Sequence, residues 1–471
     1  MSVFSSLFVP ETSDVRVAPP PIGGGLNGAY LRALRAFRAL QPGRRGLRSL
    51  PTELLAKILV LVPELFDDEP HNWRFSCVLL GFVCMDWMEI VEHNPIFFSN
   101  LYVDANASIT LLQRTLERSG AVPFTLKIVL PPSNPNAPVY LQARHTLIQR
   151  NLVVAVFGIV GQEMHRCRRF IVDIPDERVL RRLFILSSTT SGDRVEEFSV
   201  TSHEYMSRFS QLVAQPFGGL TPRLKEMHVH DLAVTWVNYH FMSNLTTLAI
   251  HDFVDDRPNL DFIYAMLEAT PLLETLRLYL VAAADFEDSN GDPPTLPLLS
   301  EIDIIADTES GSCLLTLLHM PALRVLRFKV ADDQDNAFDG LLGHSWRIGS
   351  QITTLALQVS LPTAQLFRDC FDVFPNVESF DARGINFGFG VYLLAVAMHW
   401  PVGWKTLQDV FLDDFLEDEL LLSLLVALSE GLSYAVRVVT PRELDTEGRP
   451  TIPTASTLTS GGELRHAAFC T

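Results

Sequence analysis

One arrangement of apolar positions recurs through most of the chain: an apolar residue, two free positions, an apolar residue, one free position and a third apolar residue. It is read at Cys167/Phe170/Val172, Val195/Phe198/Val200, Leu224/Met227/Val229, Leu245/Leu248/Ile250 and Leu273/Leu276/Leu278. It continues at Leu299/Ile302/Ile304, Leu323/Leu326/Phe328, Ile352/Leu355/Leu357, Val377/Phe380/Ala382 and Leu407/Val410/Leu412. The last two positions alternate as a strand with one buried face does. Between the triplets, helical spacing of apolar residues predicts helices over 143–160, 262–270, 313–320, 364–374, 391–399 and 417–428. The acids Glu417, Asp418 and Glu419 are read as favourable partners of a helix N-terminus, not as a catalytic or cation site.

Successive triplets begin 21 to 30 residues apart, almost wholly within the roughly 20 to 29 of a leucine-rich repeat. Each unit then supplies a short strand, the chain returns through a helix or loop, and neighbouring units stack into a curved parallel sheet. The Asn that usually follows the strand is missing, with Leu232, Phe253 and Ala331 in its place. The expectation is an irregular solenoid over residues 105–440.

Residues facing outward from such a sheet are the middle ones of each strand: Ser199, His228, Ala249, Arg277, Asp303, Arg327, Ala356, Asp381 and Phe411. Two positions earlier stand Glu197, Glu226, Thr247, Thr275, Glu301, Val325, Thr354, Ser379 and Asp409. Mixed charges over a broad surface suit recognition of a protein, because complementarity sets selectivity and encounter rate. His228, Arg277, Asp303, Arg327, Asp381 and Phe411 are the candidate client contacts, with the two arginines foremost because Arg is enriched at interface centres. His228, His230 and His251 fall on neighbouring strands; with no Cys nearby to complete a zinc set, they are read as surface histidines.

The N-terminal part is different. Residues 1–29 carry Pro19-Pro20-Pro21 and Gly23-Gly24-Gly25, and Tyr30, Leu31, Leu34, Phe37 and Leu40 alternate with arginines as a short basic amphipathic helix. Residues 1–49 are read as a flexible basic leader. Next, Pro51 suits the first turn of a helix whose apolar face is Leu54, Leu55, Ile58, Leu59 and Val62, and a second helix carries Val83, Trp87 and Val91 until Asn94-Pro95 stops it.

The elements Leu50-Pro51-Thr52-Glu53-Leu54-Leu55 and Val83-Cys84-x-x-Trp87, followed by Ile90-Val91, Pro95 and Phe97-Phe98, resemble the F-box. The segment Leu116–Leu126 is similar to one that follows the F-box in mushroom-type fungal proteins of that family. The resemblance implies a small helical domain at 50–104 that docks on a Skp-type adaptor and through it a cullin. It also implies a leucine-rich-like domain that binds a client protein for ubiquitin-dependent degradation. By that resemblance Leu50, Pro51, Glu53, Leu54, Leu55, Ile58, Val83, Cys84 and Trp87 are the adaptor contacts. Met85, Asp86 and Met88 depart from the basic residues usual in the motif, and the acidic segment 64–72 lengthens it. These departures motivate the alternative of a stand-alone interaction scaffold.

The whole reading is therefore α/β: a small helical F-box, then a curved parallel sheet with outer helices, then a disordered tail over 441–471. Composition agrees with it. The formal charge is −18, and seven arginines against two acids make residues 1–49 +5, leaving −23 on the rest. That balance opposes nucleic-acid binding, which relies on Lys and Arg. Apolar runs stay near ten residues, short of the roughly 20 a bilayer span needs. Six isolated cysteines and no signal-peptide pattern point to a reducing compartment, cytosol or nucleus. No nucleophile elbow, phosphate loop or zinc-protease motif is present, so neither an enzyme nor a cofactor is expected.

Overall fold

The computed structural model describes residues 85–381, with breaks at 135, 203–211, 215, 220, 231–233, 237–238, 252–259, 282–293, 307–313, 316–317, 331–347 and 359–371. It also describes residues 52 and 54–58 and four short strands beyond 381. The chain divides into two compact units, Met1–Phe98 and Ser99–Thr471.

In the first unit residues 54–58 are helical, and a helix α1 spans Met85–His93, followed by a 3-10 turn at Pro95–Phe98. Asn94 ends α1 as the Asn-Pro step predicts, its Oδ1 accepting the Ile96 N–H at 3.2 Å. Leu55, Trp87, Val91 and Phe97 are buried.

Among the described residues the second unit is α/β, built on one open sheet of 15 strands. In sheet order these are β1 (Asn100–Val103), β2 (Phe124–Val129), β3 (Cys167–Asp173), β4 (Glu197–Thr201), β6 (Glu226–His230), β8 (Thr247–His251), β9 (Thr275–Val281) and β10 (Glu301–Ala306). Then follow β11 (Val325–Val330), β12 (Thr354–Gln358), β13 (Ser379–Asp381), β14 (Asp409–Phe411), β15 (Val436–Val439), β16 (Ala455–Leu458) and β17 (Leu464–Ala467). Pairing is parallel from β1 to β15 and antiparallel across β15, β16 and β17. Two further strands, β5 (Leu212–Ala214) and β7 (Val234–Trp236), pair with each other alone. Described helices are α2 (Ile109–Arg118), α3 (Val139–Val160), α4 (Glu177–Ser187) and α5 (Leu260–Glu268).

The repeating triplet is the core. Its first positions from Cys167 to Val377 are all buried, and they join the inward strand residues in one continuous hydrophobic cluster from Leu101 to Phe380. A proline stands two residues before the first position at Pro222, Pro271, Pro297 and Pro321. In each case the triplet's leading N–H, on Leu224, Leu273, Leu299 or Leu323, bonds the carbonyl three residues back, on Thr221, Thr270, Leu296 or Met320. Proline fixes the first central position of this β-turn and aims the chain into the strand.

Successive repeats are joined by a backbone ladder in front of the strands. Lys225 donates its N–H to the Glu196 carbonyl, Thr246 to Lys225, Glu274 to Thr246, Ser300 to Glu274, Arg324 to Ser300, Thr353 to Arg324 and Glu378 to Thr353. Side-chain amides add to it: Asn244 Nδ2 donates to Pro222 O at 2.9 Å, Gln351 Nε2 to Met320 O at 2.8 Å and Asn376 Nδ2 to Ser350 O at 2.6 Å. The amides missing after the strand thus stand in part before it.

The described elements differ from the expected boundaries in several places. Strand β1 lies within 50–104 but pairs in register with β2, so the sheet begins at Asn100. Helices α2 and α4 are additional; Ser108 caps the first and Asp176 the second, the Asp176 carboxylate accepting N–H groups of Arg178 and Val179. The tail expected to be disordered holds β16 and β17, consistent with Thr and Leu on either side of Gly461-Gly462. Cys167, in the core, has its thiol pushed up to about 12 by burial, which leaves it an inert small hydrophobe.

Candidate functional site

The strand register carries the outward residues into straight rows. Ser199, His228, Ala249, Arg277, Asp303, Arg327, Ala356, Asp381 and Phe411 are successive partners across the sheet. Neighbouring strands lie about 4.8 Å apart, so Arg277, Asp303 and Arg327 are adjacent, while Asp381 stands three strands beyond Asp303. The row is half-buried except for Ala249, which its larger neighbours cover. The side chain of Phe411 lies outside the described residues.

Charges on this face pair across strands. Arg169 makes a two-pronged contact with Glu197, at 2.5 and 3.1 Å. Glu301 is held between two arginines: Arg327 bonds its Oε1 directly, and an Arg277 nitrogen lies 3.8 Å from the same oxygen. These pairs are solvent-accessible, so each contributes little to stability; their effect is to hold the guanidinium groups in place.

A third row, two residues further along the strands, is aromatic. His230 stacks on His251 with ring centres 4.1 Å apart and planes 12° from parallel, and Tyr279 lies 4.1 Å from His251 on the next strand. The Tyr279 hydroxyl donates to Asp303 Oδ2 at 2.9 Å. Burial, then the neighbouring His230, His228 and Arg277, lowers the His251 pKa to about 4. His228 is also lowered, mainly by burial, against the opposing pull of Glu197 and Glu226. Burial and the bond to Asp303 push Tyr279 up to about 12. At neutral pH the strip therefore presents two neutral imidazoles, His228 and His251, and a protonated phenol, bordered by fixed arginines.

The site residues legible in the triplet pattern are His228, Arg277, Asp303, Arg327 and Asp381, all on one face. Of the stack of His230, His251 and Tyr279, the sequence reading set the two histidines on neighbouring strands and missed Tyr279, although the same two-residue alternation, carried one step past the triplet, marks it. Asp231 and Asp252 lie outside the described residues, and among those described no group of His, Cys, Asp and Glu is placed to hold a metal ion.

Of the adaptor candidates, Leu50, Pro51, Glu53, Val83 and Cys84 lie outside the described residues. Leu55 and Trp87 are buried, whereas Leu54 and Ile58, one helical turn apart, are 47% and 41% exposed. Residues at that spacing share a helix face, so the segment buries one apolar side and offers another. Among the described residues no helix is long and apolar enough to cross a membrane. No protein-family model matches the chain, and neither does any curated protein.

Proposed function

We propose that the chain is the substrate receptor of an SCF-type ubiquitin ligase, with a divergent F-box on a Skp-type adaptor and a curved, leucine-rich-like solenoid holding a client protein. The observation that carries the reading is the in-register outward face. Repeats stacked in this way project side chains in fixed rows, an arrangement suited to a protein ligand. The proposed client contacts are His228, Arg277, Asp303, Arg327, Asp381 and Phe411, joined now by the stack of His230, His251 and Tyr279. On the adaptor side, exposed Leu54 and Ile58 support an apolar edge within the Leu50–Trp87 motif. The receptor has no chemistry of its own to perform; it raises the client's effective concentration beside the ubiquitin-loaded enzyme.

Co-purification with a Skp-type adaptor tests this. Wild type is expected to retain the adaptor, and Leu54→Glu/Ile58→Glu to lose it with an unchanged unfolding midpoint, since both positions face solvent. Equal retention by the two overturns the ligase reading. The second reading, a scaffold that has left adaptor binding behind, is favoured by Met85 and Asp86 within the motif and by the absence of a matching family model. It expects no adaptor on wild type while ligand binding at the outward face persists.

A further inference from the structure

Helix α3 is the connection between β2 and β3 and packs between α2 and α4 on the side of the sheet away from the client rows. It runs 22 residues, yet its buried residues, Gln149, Val153, Val156, Phe157 and Val160, begin only at its eleventh position. In the first half Tyr140, Leu147 and Ile148 are 71%, 55% and 54% exposed, and Leu141 is exposed beside them. Tyr140, Leu147 and Val154 are separated by seven residues, as are Leu141 and Ile148, so the apolar stripe runs lengthwise along the helix. Single exposed apolar residues need no explanation, but a continuous stripe marks an interaction surface.

Charge identifies the partner. Helix α3 contains Arg144 and Arg150 and no acid, and α2 and α4 add Arg114, Arg118, Arg178, Arg181 and Arg182 against Glu117 and Glu177. The three helices are thus +5 in a chain of −18. Among the described residues Arg114, Arg144, Arg150 and Arg178 enter no ion pair. A second copy of this face would bring like charges together. A stripe with seven-residue steps fits the side chains of a helix laid along it.

We propose that this face binds an acidic amphipathic helix of another protein, with its apolar side on Tyr140, Leu147 and Ile148 and its carboxylates toward Arg144, Arg150 and Arg178. The site shares no residue with the adaptor and client candidates. The test uses the full chain and a fluorescent synthetic helix of about three heptads, with Leu at the seam and Glu elsewhere, followed by anisotropy. Saturable binding is expected, absent for the same peptide with Lys in place of Glu. Leu147→Glu/Ile148→Glu and Arg144→Glu are each expected to weaken it about tenfold or more at an unchanged unfolding midpoint. Equal binding of the Lys peptide, or no loss in either variant, overturns the proposal. So does co-sedimentation with phosphatidylserine vesicles that the same variants abolish and the acidic peptide does not compete. A doubled mass in light scattering that Leu147→Glu abolishes would overturn it in favour of self-association.

Discussion

The His251 imidazole sits between His230 and Tyr279 with Arg277 nearby, and every one of these neighbours either withholds water or carries, or acquires on protonation, positive charge. Its proton is therefore disfavoured in the folded chain, down to about pH 4 from an ordinary 6.5. The folded form binds fewer protons than the unfolded one between those values, so stability is full above about 6.5 and falls as pH drops toward 4. The expected result is a urea midpoint that declines across this window in wild type and declines less in His251→Gln. An NMR titration of His251 with an ordinary midpoint near 6.5 would contradict the placement. The sequence set His230 and His251 on neighbouring strands but did not join Tyr279 to them, because that stacking depends on register between strands separated by more than twenty residues.

Elements keep their spacing by close approach as much as by apolar filling. The turn at Gly349–Gln351 is pressed against the next repeat: a Cβ built on Gly349 would meet the Val373 carbonyl oxygen at 1.9 Å. Gly349→Ala is expected to cost about 1–3 kcal/mol in urea unfolding through overpacking, and a neutral result would place the turn further from residue 373. Apart from β5 and β7, which lie outside the triplets above, the strands from β3 to β14 were legible because the triplet combines a turn, an apolar anchor and two alternating apolar residues. β2 escaped since the position three before Leu126, the register partner of Phe170, is Pro123, which provides no anchor. α4 escaped although Asp176 and Glu177 mark its start; its apolar residues fall between two triplets and were absorbed into their spacing. α3 was found because it is long, and its first turn was lost because Val139, Tyr140 and Leu141 face solvent.

Through the second unit, cohesion is a chain of nearest-neighbour contacts, so local stability follows the strength of each junction. β9, β10 and β11 share long parallel registers, whereas β13 and β14 pair over only three residues each. Hydrogen exchange is expected to leave the amides of β9–β11 protected longest and those of β13–β14 exchanging early; uniform protection would mean that the sheet opens as a single unit. The same in-register stacking fixes a repeat distance for anything that lies across the outward face. Side chains there recur about every 4.8 Å, strand by strand. An extended peptide crossing the strands advances about 3.4 Å per residue and falls out of phase after one or two contacts. A helix returns a side chain to one face about every 5.4 Å, once per turn, closer to the strand spacing than the roughly 6.8 Å between same-face residues of an extended chain. The face is thus graduated more nearly for a helix than for an extended chain, and a helix laid across its strands slips only about 0.6 Å per strand, staying in step over neighbouring strands.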